Sequence, residues 1–339
     1  MKKFLAVLLA MTMLLGVLTA CSENTQQPAD DPSGGQTATQ TYNLVWAATS
    51  ASSGYYALNV AMADIINKYV DGVTVTVMET GGTADDYKYM RDGQASFGQC
   101  TDIDTYCLQN DMGTYAGYDY PDARMLCLCF PLLYYMTVSE KSGISCISDL
   151  NDAEFSAGLS GSSTERDIMS ALDALGVTPN WYPASTADAV EAMKNRQIDG
   201  FCKSGSAVSG DSSIADVKTS IDIDCISWTE EEQKKVLEAY PYFSFSTISG
   251  DPVGLDHDIT SISKYFGFCI GGDIPDEVAY EIFKAIDEHQ DYLHDTYAGL
   301  GDYDIVELTA TVGSALLHPG VVKYLQEKGY DIADNRIPN

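Results

Sequence analysis

The pattern that most constrains the fold is a strand, a short loop of small polar residues and a helix, in that order, near the start of the chain. Leu44–Ala48 is apolar and predicts a buried strand, and Thr49–Gly54 contains three serines and one glycine. Apolar side chains then recur every three or four positions over Tyr56–Tyr69, as on one face of a helix. Such a turn directs unpaired backbone N–H groups of the helix at one point, which favours a carboxylate or a phosphate there.

Similar turns recur further along the chain. Thr80–Thr83 lies between a predicted strand and a predicted helix, and Thr83 is a plausible N-cap. Ser160–Thr164 is another Ser/Gly/Thr loop in the same setting, and Cys202–Ser209 is predicted to be a further turn, which contains the cation Lys203. Strands and helices alternate throughout, so we expect an α/β fold with mainly parallel sheets. If the early and the later turns belong to two halves of the protein, their helix N-termini would point into a shared crevice, where small ligands bind.

The order of elements also predicts the domain organisation. Arg124–Thr137 is apolar and is expected to cross the interior in two pieces separated by Pro131, with Tyr134–Val138 as a strand that passes between the halves. Pro275 is expected to precede one long helix, Asp276–Tyr297. We therefore predict a first lobe at residues 42–136, a second lobe at 137–247, and a return segment at 248–339 whose C-terminal helices pack mainly on the first lobe.

The first 41 residues indicate export and membrane attachment. Lys2 and Lys3 precede the apolar run Phe4–Val17, and the sequence Leu-Thr-Ala-Cys ends at Cys21. This is typical of a lipoprotein signal peptide at residues 1–20, cleaved before a lipidated Cys21. The alternative is an uncleaved anchor, although the run is short for the roughly 20 residues that span a bilayer. Ser22–Thr41 is rich in Pro, Gln, Ser, Gly and Thr and is predicted to be a disordered leash.

Charge and motifs exclude several classes of function. The formal net charge is −30, so the surface repels nucleic acid, and an anion site needs local positive charge from N–H groups and from cations such as Lys203. Gly158–Ser162 only approaches the G-x-S-x-G pattern of hydrolases, and no phosphate-loop, metalloprotease or dinucleotide motif is present. Tyr118–Asp122 is acidic but lacks the spacing of a calcium loop. We therefore predict no catalytic residues, no metal and no cofactor.

The cysteines leave two alternatives open. Cys21 is assigned to the lipid, and the other eight show no spacing of a zinc site. Export favours disulfides. Most of the eight, however, stand in apolar or strand-like surroundings, which favours buried thiols.

Taken in order, these segments resemble a known family. From about residue 42 to residue 330 the chain is similar to the TAXI-type solute-binding proteins of tripartite ATP-independent periplasmic (TRAP) transporters. The segments that carry the resemblance are Thr49–Tyr56, Thr80–Thr83, Gln94–Asp102, Gly143-Ile144, Ser148–Leu150, Gly158–Thr164, Ile198–Phe201, Pro241-Tyr242 and His318–Gly320.

The resemblance implies a two-lobed periplasmic-binding-protein-like (type II) fold with a hinge and an interlobe cleft. It further implies an extracytoplasmic lipoprotein that is not an enzyme, captures a small carboxylate such as a glutamate-like amino acid, and delivers it to TRAP membrane subunits driven by an ion gradient. Alternatives are the binding subunit of an ATP-driven importer or of a sensor kinase, or an enzyme on the same scaffold. The expected ligand contacts are Ser52, Ser53, Tyr55, Thr83, Thr101, Ser162, Ser163, Thr164 and Lys203.

Overall fold

The computed structural model of the protein describes residues 41–338. The predicted signal peptide at 1–20, the lipid attachment at Cys21 and the leash up to residue 40 therefore lie outside the described residues. Within the described range, no helix combines the length and the apolar character that crossing a bilayer requires.

The described residues form ten strands in one sheet, with the order β2-β1-β3-β10-β4-β7-β5-β6, in which β8 also pairs with β4 and β9 with β10. Their bounds are β1 Tyr42–Ala47, β2 Val73–Met78, β3 Phe97–Thr101, β4 Ala123–Ser139, β5 Glu154–Ser156, β6 Asn180–Trp181, β7 Gly200–Ser206, β8 Ile223–Cys225, β9 Phe245–Ser249 and β10 Asp258–Gly271.

Eleven α-helices pack on this sheet within residues 41–338. Their bounds are α1 Tyr56–Tyr69, α2 Thr83–Arg91, α3 Asp102–Gln109, α4 Ser163–Leu175, α5 Thr186–Lys194, α6 Ser212–Lys218, α7 Glu230–Ala239, α8 Asp276–Glu288, α9 Gln290–Thr296, α10 Ile305–Thr311 and α11 Pro319–Glu327.

Two long strands join the two lobes. We call β1–β3 with α1–α3 the first lobe and β5–β8 with α4–α6 the second, and the lobe boundaries at residues 136 and 247 stay a prediction. Residues 123–133 of β4 pair with β10, and residues 132–138 pair with β7. Strand pairs within each lobe are parallel, but β10 is antiparallel to β3 and β4, and β4 is antiparallel to β7. The expectation of mainly parallel sheets is therefore wrong for the crossing strands, because β4 enters the second lobe and β10 returns from it.

Pro131 does not divide β4, contrary to the sequence-based expectation. It pairs in register with Tyr265, and the register with β10 shifts between Phe266 and Gly267, next to this site. Pairing with β7 begins only at Leu132. The missing N–H of the proline is tolerated because it lies where β4 changes partners, beside an irregularity in the ladder.

The segment that begins at Cys202 is a strand rather than the predicted turn. Residues 202–206 lie in β7 and pair with β4. Gly205 is needed there, because a Cβ would lie 2.9 Å from the carbonyl oxygen of Gly210. The small residues that suggested a turn therefore allow close approach of the backbone instead.

Two helix boundaries also differ from the prediction. Gly82, not Thr83, occupies the N-cap position of α2 with φ of +100°, a conformation that glycine adopts most readily. The predicted helix over 276–297 is divided into α8 and α9 at His289, whose backbone is not helical and whose ring stacks on Tyr69 with centroids 3.6 Å apart.

Alternate side chains of β4 enter different cores. Leu132 and Tyr134 belong to the larger hydrophobic cluster, which extends from α1 and β1 to α4. Leu133 and Tyr135 point to the other face, where α5 and α6 cover a smaller cluster. β4 therefore supports both lobes through its two faces.

All eight cysteines of the described residues are free thiols, and all but Cys146 are buried.

Candidate functional site

A cavity lies between the two lobes, where helices α1–α5 begin. Its volume is about 40 Å³, so in this arrangement it admits only a small solute or a few water molecules. The lining residues are Thr49, Ser53, Tyr55, Thr83, Gln99, Thr101, Leu132, Tyr134, Leu159, Ser162, Ser163, Thr164, Thr186, Cys202, Lys203, Ser204 and Phe266.

The residues that precede or begin each helix form the polar walls, and the crossing strands form the floor. Leu132 and Tyr134 of β4 and Phe266 of β10 supply apolar surface. The ring of Tyr55 stacks on that of Phe266 with centroids 4.7 Å apart. The cavity thus combines hydroxyl-rich walls with an aromatic floor, as small-molecule sites commonly do.

Eight of the nine residues expected from the sequence line this cavity, and Ser52 does not. Ser52 is exposed, and its hydroxyl lies 2.9 Å from that of Ser50. It borders a separate surface depression with Thr186 and Ser212. The eight are brought together by the structure, while their contact with a ligand stays a prediction.

Two of these hydroxyls are occupied as helix caps. Thr101 Oγ1 accepts a hydrogen bond from the backbone N–H of Asp104 at 3.2 Å, and Ser162 Oγ accepts one from Glu165 at 3.2 Å. The caps leave the N–H groups of Ser163 and Thr164, in the first turn of α4, without intrahelical partners. A ligand carboxylate at this end of the cavity would meet those donors and the positive end of the helix dipole.

Lys203 is the only charged side chain among the described residues that line the cavity, and it is already paired. Its Nζ lies 3.3 Å from Oδ2 of Asp211, and both side chains are buried. Nζ also donates to the carbonyl oxygen of Ser204 at 2.9 Å and lies 4.7 Å from the ring centroid of Tyr55. A ligand anion would therefore share this cation with Asp211.

The hydroxyl of Tyr55 is a candidate contact for a different reason. It is buried and has no hydrogen-bond partner within the described part of the chain. Burial, followed by the charges of Tyr297 and Asp211, raises the pKa of Tyr55, so the hydroxyl remains protonated. An unpaired buried hydroxyl is costly, and a ligand oxygen would relieve that cost.

A buried cluster of charges lies behind the floor. The hydroxyl of Tyr134 donates a hydrogen bond to Oδ2 of Asp167 at 2.7 Å. Lys264 donates to Oδ1 of Asp104 at 2.6 Å and also to Asp167. Burial raises the pKa of Asp167 to about 6, while Lys264 and Tyr134 act to lower it and Asp104 to raise it. Sequence reasoning missed this cluster, because α3, α4 and β10 are far apart in the chain.

Sequence reasoning also missed several lining residues. Gln99 lies in β3, where a lone amide in an apolar segment is a usable signal. Thr49 lies in the first predicted loop, and Thr186 directly follows Ser185, the cap of α5. Tyr134 gave no comparable signal, because aromatic residues in an apolar strand indicate core rather than a site.

None of the four histidines, all within residues 41–338, lines the cavity. His257 pairs with Asp224, and His318 contacts the carbonyl oxygen of Ile274. No group of three or more His, Cys, Asp or Glu residues in this range is arranged to hold a metal ion.

Comparison with solved structures identifies the fold. MatC from Rhodopseudomonas palustris with bound malate is similar with a TM-score of 0.52 and 12% identity, covering 84% of this chain and 96% of that one. The periplasmic binding protein BugD is similar with a TM-score of 0.51 and 13% identity, covering 86% and 99%. The two-lobed periplasmic-binding-protein-like fold is therefore confirmed.

Sequence comparisons give the family. No curated protein matches this chain. A family model described as the NMT1-like family matches residues 46–329. Because this match spans most of the sequence, the protein belongs to the NMT1-like family.

Proposed function

We propose that the protein is an extracytoplasmic solute-binding protein whose two lobes close on a small carboxylate. The observation that carries this proposal is the interlobe cavity, in which the first turns of five helices meet around hydroxyl groups and one buried cation, Lys203. Helix N-termini and Lys203 favour an anion, and the hydroxyls of Ser53, Ser163 and Thr164 can donate to its oxygens. The fold and the family support binding rather than turnover.

The size of the cavity limits the ligand. About 40 Å³ is room for about three water molecules, so in this arrangement only an acid of few carbon atoms would fit. A glutamate-like amino acid, which the family resemblance suggests, would require the lobes to close less far. MatC was solved with malate, which would likewise require a wider cleft, and this supports including dicarboxylates among the candidates.

The route of delivery is also part of the proposal. Lipidation at Cys21 would hold the protein at the outer surface of the cell membrane, with the leash allowing the lobes to reach a membrane partner. That partner would be a pair of TRAP subunits driven by an ion gradient. Uptake by cells tests this: it should collapse when the ion gradient is dissipated and persist when only ATP is depleted, whereas an ATP-driven importer gives the reverse.

Ligand binding is tested directly by thermal unfolding of the purified protein, stripped of bound solute in denaturant and refolded. The panel contains short mono- and dicarboxylates, amino acids and their neutral amides. A ligand at 100 times its dissociation constant adds about 2.7 kcal/mol to the free energy of unfolding. For a chain of this size that raises the melting temperature by about 5 °C.

The panel also contains its own control. Carboxylates should raise the melting temperature, and the matching amides should not, because an amide lacks the charge that helix N-termini and Lys203 favour. Equal shifts with acids and amides, or shifts with neutral solutes alone, would refute a carboxylate site.

A further inference from the structure

The cluster behind the cavity floor joins parts of the chain that belong to different lobes. Asp104 lies on α3 of the first lobe, and Asp167 lies on α4 of the second. Lys264 lies on β10, one of the two strands that link the lobes, and its Nζ contacts both carboxylates. All three side chains are at most 3% exposed. Movement of α4 away from α3 would separate the two carboxylates that share this ammonium group.

The charges of this cluster do not balance. Two carboxylates and one ammonium group leave a net charge of −1 where water is excluded. Oδ2 of Asp104 and Oδ1 of Asp167 are buried without any hydrogen-bond partner within residues 41–338. A buried carboxylate with an unsatisfied oxygen is costly, and protonation removes that cost by neutralising the charge.

The neighbouring groups do not supply the missing positive charge. Lys264 keeps its proton: burial acts against it, but Asp104 and Asp167 together raise its pKa. Arg166 contacts the first lobe instead, through the carbonyl oxygen of Thr114 and the rings of two tyrosines. The titratable groups that face the cluster are Tyr87, Asp102, Cys107, Tyr115, Tyr134, Cys202 and Tyr242. Of these, Asp102 adds negative charge and Tyr134 donates one hydrogen bond.

We infer that Asp104, Asp167 and Lys264 form an interlobe clamp that takes up one proton when the lobes close. The proton binds to the carboxylate pair, with Asp167 as its main site, and makes the clamp neutral. The three residues touch no ligand in this arrangement, so they act as positioning residues that set the fraction of closed molecules. The inference rests on the proposed function only in assuming that the lobes open and close and that the structure, in which Lys264 joins α3 to α4, is the closed form.

The direction and size of the pH effect on lobe closing follow from the pKa of Asp167. Its pKa is about 6 in the closed arrangement, and its ordinary value of 3.8 would apply once the lobes separate and water reaches it. The closed form therefore holds the proton more tightly, so acidification favours closing, and this contribution is lost as the pH rises through about 6. Between about pH 8 and about pH 5 the ratio of closed to open molecules should rise about tenfold.

The experiment uses the ligand-free protein, so its outcome is independent of the ligand screen. Small-angle X-ray scattering at pH 8 and pH 5 reports compaction, and carboxyl carbon NMR follows the titration of individual aspartates. We expect the wild type to become more compact at pH 5 and one buried carboxyl to titrate near pH 6. Asp167→Asn, which imitates the neutral state, should be equally compact at both pH values and should lack that titration.

Two further variants keep the test decisive. Asp104→Asn leaves Lys264 and Asp167 as a pair with no net charge, so the carboxyl of Asp167 should titrate below pH 5. This variant tests the inference even if Asp167→Asn folds poorly. Asp216→Asn is the control, because Asp216 pairs with Lys194 inside the second lobe and should leave the pH response of the wild type unchanged. A wild type with no carboxyl titrating between pH 5 and pH 7, or one that expands on acidification, would overturn the inference. So would an unaltered pH response in Asp167→Asn.

Discussion

Replacing Lys203 separates its structural role from its proposed role in binding. The Lys203→Met variant keeps an apolar stem of similar length but leaves the carboxylate of Asp211, whose side chain is 1% exposed, without a cation. Removing one partner of a buried ion pair costs about 3–5 kcal/mol. We expect a loss of this size in the free energy of unfolding at pH 7, measured by urea denaturation. The single variant is therefore a poor probe of binding.

The double variant Lys203→Met/Asp211→Asn removes both charges. Replacing both partners of a buried pair is often nearly neutral for stability, so most of the loss should be recovered. The asparagine can still accept the hydrogen bond that the backbone N–H of Ser213 donates to Asp211 at 2.9 Å. Carboxylate binding should then weaken by on the order of 10- to 100-fold, since a hydrogen bond to a charged group contributes about 1.5–3 kcal/mol.

Isothermal titration calorimetry of the wild type and the double variant measures this difference. The amide counterpart of the ligand is the control, because its weak binding does not depend on the charge of Lys203. If the double variant binds the carboxylate as tightly as the wild type does, Lys203 only neutralises Asp211, and the positive potential of the site comes from the helices alone.

Three further substitutions test other parts of the site. Ser162→Ala should lower the free energy of unfolding by about 1 kcal/mol, because it removes the cap of α4, and it should also weaken ligand binding. Thr229→Ala is the control: it removes the cap of α7, remote from the cavity, so it should cost a similar amount in thermal unfolding and leave ligand affinity unchanged. Tyr134→Phe removes a hydrogen bond that lowers the pKa of Asp167, so the pH midpoint of compaction should move upward; an unchanged midpoint would contradict this role. Gly205→Ala should destabilise the protein by about 1–3 kcal/mol in urea denaturation, because its Cβ would contact backbone atoms at 2.9 Å, and full stability would contradict the tight packing of β7.

The parts of the site that the sequence predicted are those specified locally. The loop before α1 and the loop before α4 each follow a short strand and precede a helix, and these signals lie within a few residues of one another. The hydroxyls of Ser163 and Thr164 enter the cavity because they belong to the first turn of a helix whose start the sequence marks. Helix N-termini at the ends of neighbouring strands converge by topology, so their meeting could be anticipated.

What the sequence did not predict depends on contacts between distant residues. Ser52 lies beside Ser50 and borders a depression shared with Thr186 and Ser212, and no local pattern encodes that contact. Small residues after Cys202 have two interpretations, a turn or a tightly packed strand, and only the pairing of β7 with β4 decides between them. The pairing of Lys264 with Asp104 joins residues 160 positions apart.

The place of β10 in the sheet determines the order in which the molecule can fold. β10 lies between β3 and β4, although its first residue, Asp258, follows the last residue of β4 by more than a hundred positions. Until β10 has left the ribosome, β3 and β4 each present an unpaired edge in the middle of the sheet, where both are otherwise buried. Closing such a distant contact is slow, which makes the chain prone to aggregation if synthesis stops early. Any fragment that ends before residue 258 should therefore be insoluble, however complete its second lobe is.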